Sequence, residues 1–144
     1  MTSALLCLAF AIYFEARGEP QVGQYAVAEV IVNRRDSDRF PDTVCGVVRQ
    51  GEDYGMHRCQ FSFMCDGKPE EIANPLAFDE AKLIANDVLN LPGTPDYVDG
   101  ALFYHTHAVS PSWSQQMEVT AVYGDHIFFS DDVSLRDESL ALGF

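Results

Sequence analysis

The chain has 144 residues, of which 47% are hydrophobic and 22% charged, enough for one domain around one core and too apolar for an intrinsically disordered chain. Its 22 acidic and 9 basic residues leave a net charge of −13. That excludes binding to nucleic acid through a basic surface and works against attraction to anionic lipid or anionic wall polymers.

Residues 4–14 (ALLCLAFAIYF) carry no charge, and the polar run Glu15-Ala16-Arg17-Gly18-Glu19-Pro20 follows at once. The pattern predicts a helix capped by Thr2 or Ser3 and stopped by Gly18 and Pro20. Being apolar on all sides, it belongs at the centre of the fold. It is too short to span a bilayer, so no membrane insertion is expected. Its length suits a signal-peptide core, but no Lys or Arg precedes it and no small-residue cleavage site follows, so it is read as structural. A substrate outside the cytoplasm would then be reached by phage-type release or by a trimmed catalytic domain.

A second helix fits residues 22–34, with Val22, Ala26, Val27, Val30 and Ile31 at helical spacing and Gln24 and Glu29 facing outward. Asp42 or Thr43 can cap a short helix running to Gln50. Residues 59–64 (CQFSFM) alternate and read as a short strand or extended segment. Asn74-Pro75 opens a further helix, whose apolar face is Ala77, Ala81, Ile84, Ala85 and Val88. The stretch 101–109 is β-rich, residues 110–113 make a corner, and 119–123 with 126–130 form a hairpin across Gly124-Asp125. Residues 131–144 form an acidic, loosely held tail. The fold class is α+β: a central buried helix, further helices and a small antiparallel sheet, with the domain proper spanning 1–130.

Glu15 is the leading catalytic candidate. At the C-terminal end of an apolar helix, both the helix dipole and partial burial favour the neutral carboxylic acid, and a carboxyl still protonated near neutral pH can act as a general acid. Arg17 is the nearby cation that would oppose this. Glu19, four residues on, cannot easily straddle a sugar with Glu15, as paired glycosidase carboxylates must. It is therefore read as structural, capping the next helix or pairing with Arg34 or Arg17 beside the substrate.

The pair His105-x-His107 places two imidazoles on one strand face, and with His57 or His126 they could bind zinc. The signal is weak and lacks the helical H-E-x-x-H arrangement, so neither metal nor cofactor is expected. Cys59 or Cys65 with His105 would make a Cys–His nucleophilic pair, but nothing in the sequence activates either thiol. Cys7, inside the apolar helix, is read as a buried free thiol, with one disulfide among Cys45, Cys59 and Cys65 in an oxidising compartment. Among the aromatic residues, Tyr104 and Trp113 are the better cleft candidates, being flanked by polar residues.

The run from Tyr13 to Pro20 (YFEARGEP), the run from Gly23 to Arg34 (GQYAVAEVIVNR), and Phe40-Pro41-Asp42-Thr43-Val44-Cys45-Gly46 occur in that order. Cys59-Gln60-Phe61-Ser62-Phe63 follows, then Cys65-Asp66-Gly67, Phe103-Tyr104-His105, Pro111-Ser112-Trp113 and Gly124-Asp125-His126-Ile127-Phe128-Phe129. Together they resemble the SleB-type cell-wall hydrolases, named for a spore-cortex-lytic enzyme, over roughly residues 4–130. The resemblance implies a fold similar to lysozymes and lytic transglycosylases. It implies a peptidoglycan substrate, cut between N-acetylmuramic acid and N-acetylglucosamine at the cell wall, with Glu15 as the catalytic residue. Gln60, Phe61, Ser62, Tyr104 and His105 then look like cleft-lining positions, Trp113 a ring-stacking one, and Glu19 a near neighbour of the substrate. A monomer acting on glycan strands is expected. The rival classes are a wall amidase or peptidase using cysteine or zinc, and a non-catalytic glycan-binding module.

Overall fold

Ser3 starts the first helix: its Oγ accepts the Leu6 N–H at 3.1 Å, and α1 runs over Ala4–Ala16. In this computed structural model the described residues are 3–54, 59–67, 71–91, 96–107, 114 and 116–131. Cys7, Leu8, Ala9, Ala11, Ile12, Tyr13 and Ala16 of α1 are buried. α4 (Pro75–Asn90), α2 (Gln21–Asp36) and α3 (Val44–Val48) all pack on it. The alanines let these neighbours approach closely, so the helix is the hub that its uniform apolarity demands. Gly18, at a φ of +87°, takes the left-handed turn that separates α1 from α2.

Caps set most boundaries where the sequence puts them. Thr43 Oγ1 accepts the Gly46 N–H at 2.9 Å to start α3. Asn74 Oδ1 accepts the Ala77 N–H at 3.1 Å to start α4, with Pro75 in its first turn. The buried stripe of α2 is Gly23, Ala26, Val27, Val30, Ile31 and Arg34.

Three strands form one antiparallel sheet, β1 (Phe103–Thr106), β2 (Glu118–Tyr123) and β3 (His126–Ser130), in the order β1-β3-β2. Tyr104 pairs with Phe128 and Thr106 with His126, while the β2–β3 hairpin turns at Gly124-Asp125. Strand alternation puts Tyr104, Thr106, His126 and Phe128 on one face. Phe128, Val98, Ala101, Phe61 and Phe63 join the helices in a single core.

Three expectations need correction. Cys7 is not a free thiol: it is bonded to Cys45, with a Cα–Cα distance of 5.3 Å, and ties α1 to α3. Helical spacing cannot reveal such a bridge, because Cys45 comes from a different element. Second, residues 59–64 are not extended. Cys59 and Cys65 are bonded at a Cα–Cα distance of 5.9 Å, whereas an extended run of this length would span roughly 20 Å. Ser62–Met64 accordingly form a 3-10 turn. Third, Glu29 does not face outward. It is 8% exposed, and its Oε2 accepts the Tyr97 N–H at 2.8 Å. Burial pushes its carboxyl up to about 7, with Asp96 adding to the rise and the Tyr97 and Val98 N–H groups opposing it. The corner at 110–113 and the tail beyond Asp131 lie outside the described residues. Asp131 itself holds Arg39 through two contacts of 2.8 and 2.9 Å.

Candidate active site

Glu15 stands in the last turn of α1 and lines two cavities. The first, of about 450 Å³, is walled by Arg34, Gln60, Phe61, Phe103, Tyr104 and Met117 beside Glu15. The second, of about 530 Å³, is walled by Arg17, Gly18, Glu19, Thr106, His107, Asp125 and His126. Burial pushes the Glu15 carboxyl above its ordinary value; the Tyr104 hydroxyl and the Arg34 charge pull the other way without cancelling it. The Tyr104 O–H donates to Glu15 Oε1 at 2.7 Å. With Oε1 engaged as acceptor, Oε2 is the oxygen left to carry the proton of the neutral acid.

Each neighbour has a structural reason to be there. Asn33 Nδ2 donates to the Ala101 carbonyl at 3.1 Å and Arg34 Nε to the Leu102 carbonyl at 2.7 Å. These bonds fasten the end of α2 to the chain entering β1 and so set the height of Tyr104. Arg34 is 5% exposed and lies 5.0 Å from the ring centre of Phe40, with Phe61 and Phe103 each at 5.7 Å. Burial depresses its guanidinium, while Tyr104 and Glu15 favour its charged form. Gln60 and Phe61 are held at the cavity by the Cys59–Cys65 bridge that flanks them.

On the other side, Glu19 Oε1 lies 2.9 Å from His126 Nδ1, and its two carboxylate oxygens accept the Asp125 N–H at 3.1 and 3.3 Å. His126 is 3% exposed, and burial pushes its imidazole down. The Glu19 carboxylate, Asp125 and the Glu15 carbonyl oppose that shift. The Tyr104 ring meets His126 edge-on at 5.2 Å, so the two sides of the site brace each other through one aromatic contact.

Of the residues expected from sequence, Glu15, Glu19, Gln60, Phe61 and Tyr104 reach the cavity walls. The partners of Glu19 are His126 and Asp125, not Arg34 or Arg17. Arg17 donates instead to the Tyr13 hydroxyl, with its guanidinium 4.5 Å from that ring centre. Ser62 is exposed in the 3-10 turn and lines neither cavity. His105 also lines neither: it lies on the face opposite Tyr104, its ring 4.8 Å from that of Phe129. Trp113 lies outside the described residues, as does His57.

Arg34 and His126 carry weight in the site that the sequence alone does not assign them, and Met117 joins the wall of the first cavity. Arg34 had a legible signal, because it continues the apolar stripe of Val27, Val30 and Ile31 and a charge on that stripe must be buried. His126 was legible only as a possible zinc ligand and as part of the motif after the hairpin turn, not as the partner of Glu19. The cysteine route loses its nucleophile, since Cys59 and Cys65 are joined to each other and Cys7 to Cys45.

Comparison with known proteins bears on the family and the fold. Residues 18–129 match the Cell Wall Hydrolase family, a span that begins just after Glu15. The spore cortex-lytic enzyme of Halalkalibacterium halodurans is 35% identical over 126 residues, covering 84% of this chain and 33% of that protein. The chain thus spans about a third of that relative's length. The catalytic domain of the Bacillus cereus SleB protein has 32% identity and a TM-score of 0.70, covering 88% of this chain and 89% of that one. The catalytic domain of the germination-specific lytic transglycosylase SleB from Bacillus anthracis has 31% identity and a TM-score of 0.71, covering 90% and 96%. The lysozyme-like α+β fold expected from the motifs is therefore the fold observed, and the chain belongs to the cell wall hydrolase family of SleB type.

Proposed function

We propose that the chain cleaves peptidoglycan between N-acetylmuramic acid and N-acetylglucosamine, as a lytic transglycosylase with Glu15 as its single acid and base. The observation that carries this reading is the buried carboxyl of Glu15, its hold on a proton raised by burial, in the walls of two cavities each of a size to take part of a glycan. A glycan lying across both would put a glycosidic oxygen at Glu15.

Neutral Glu15 gives its proton to that oxygen as the C1–O bond breaks. The muramic 6-hydroxyl then attacks C1 and returns its proton to the Glu15 carboxylate. One bond is broken and one formed, the acid is restored, no water is consumed, and the product ends in a 1,6-anhydro ring. No second carboxylate is required. Tyr104 donates to the carboxylate while it is charged, and Gln60 offers an amide to the sugar in the first cavity. The relatives support the reading, one being itself a germination-specific lytic transglycosylase. Action on peptidoglycan places the chain at the cell wall; among the described residues no helix is long and apolar enough to cross a membrane.

Mass analysis of fragments released from purified peptidoglycan tests this. Wild type should release anhydro-muramic ends and Glu15→Gln none, a loss of at least about a thousandfold in rate, with folding intact. Glu19→Gln should keep more activity than Glu15→Gln. Reducing muramic ends would instead mean hydrolysis, and freed peptides on intact glycan would overturn the glycosidase reading.

A further inference from the structure

We infer that Arg34 is a positioning residue for the acid, its buried guanidinium supplying the countercharge for the Glu15 carboxylate that exists only once the proton has left. The inference rests on the reading of Glu15 as the acid and adds what makes that acid strong enough to work.

Arg34 is 5% exposed, yet among the described residues no carboxylate forms an ion pair with it. Its Nε is satisfied by the Leu102 carbonyl at 2.7 Å, and three phenyl rings surround it. A buried cation is costly unless something compensates it. Of the residues walling the first cavity, Arg34 is the one cation and Glu15 the one acid. The charge therefore shares a cavity wall with a carboxyl whose proton burial helps to hold and which turns negative in the course of the proposed reaction. An interaction that strengthens along the reaction path accelerates it, where one equally strong at the start does not.

The other groups near Glu15 leave this task to Arg34. Tyr104, from β1, offers a neutral hydroxyl. Arg17 is turned to Tyr13, and Arg34 is the cation that acts on the Glu15 carboxyl. Across the second cavity stand His107, Glu19, Asp125 and His126, where the two acids oppose a further negative charge and the depressed imidazole of His126 brings no firm positive one. The mutual influence is consistent: Arg34 lowers the Glu15 carboxyl and Glu15 favours charged Arg34.

The test is the pH–rate profile of peptidoglycan cleavage by wild type, Arg34→Met and Arg34→Lys, with Glu15→Gln as reference and unfolding curves for each. Methionine fits among the phenyl rings without charge. Arg34→Met should move the alkaline limb, where Glu15 loses its proton, upward by about one pH unit or more and lower the plateau rate about tenfold. Arg34→Lys should hold the limb within about 0.3 units of wild type. A folded Arg34→Met with an unmoved limb overturns the inference while leaving Glu15 as the acid, whereas an active Glu15→Gln overturns the reading beneath it. Arg34→Gln serves if Arg34→Met does not fold; failure of both neutral variants to fold would assign Arg34 to structure alone and overturn the inference too.

Discussion

Gly124 shows how tightly the residues behind the acid are fitted. A Cβ there would collide with Glu19 Oε2 and come within 2.9 Å of Pro20 Cδ, and the backbone φ is +55°. Gly100 provides the comparison: its φ is +76°, but nothing lies within 4 Å of the place a Cβ would take. Gly100→Ala should cost only the strain of a left-handed alanine, about 1 kcal/mol. Gly124→Ala should cost roughly 2–4 kcal/mol, because Glu19 must also leave the Asp125 N–H and His126. Denaturant unfolding of the two variants measures the difference, and equal losses would mean that Glu19 moves aside freely. At this scale the sequence was readable where chemistry and position coincided. Glu15 ends an uncharged run, so the upward push on its carboxyl could be argued from local order alone. The partners of Glu19 could not, because His126 and Asp125 arrive from a distant hairpin.

Among the elements, the contact between α2 and the chain entering β1 is open to pH. Glu29 reaches from α2 to the Tyr97 N–H, and its carboxyl stands at about 7 against an ordinary 4.5. A raised carboxyl favours the fold while protonated. That contribution is complete below about 4.5, is lost as pH rises, and is gone above about 7. The loss should be on the order of 1–2 kcal/mol after allowance for solvent screening. Glu29→Gln should flatten that part of the profile, and unfolding free energies at about pH 5 and about pH 8 for both proteins check it. An unchanged slope would remove Glu29 as its source. Element existence was legible because capping residues are local: Ser3, Thr43 and Asn74 each announce a helix. The 3-10 turn at Ser62–Met64 was not, because the Cys59–Cys65 bridge overrides a strand-like alternation. The outward reading of Glu29 failed for a related reason: helical spacing reports one element, and the N–H groups it satisfies belong to another.

For the whole molecule, a net charge of −13 on 144 residues sets self-repulsion against compaction. Raising salt from about 10 to about 150 mM shortens the screening length from about 30 to about 8 Å. The melting temperature should therefore rise over that range, by several degrees, in a thermal scan; a flat or falling value would mean that local ion pairs such as Arg39–Asp131 outweigh the net charge. The Cys7–Cys45 bridge works in the opposite sense to the repulsion. Closing a loop across a sequence separation of 38 residues, it restrains the unfolded chain by roughly 4 kcal/mol in an entropic account. The α+β architecture was legible from the order of helices and strands, and the lysozyme-like assignment from the succession of motifs.

Glu15 belongs to both cavities at once, and this makes its proton a messenger between them. At a pH where both forms of Glu15 are populated, a compound in one chamber that prefers the neutral carboxyl raises the affinity of the other chamber for any compound with the same preference. One that prefers the carboxylate lowers it. By reciprocity the factor is the same in either direction. Occupants of the two chambers thus sense each other without touching, and two small inhibitors chosen for the same protonation state would bind together better than their separate affinities predict.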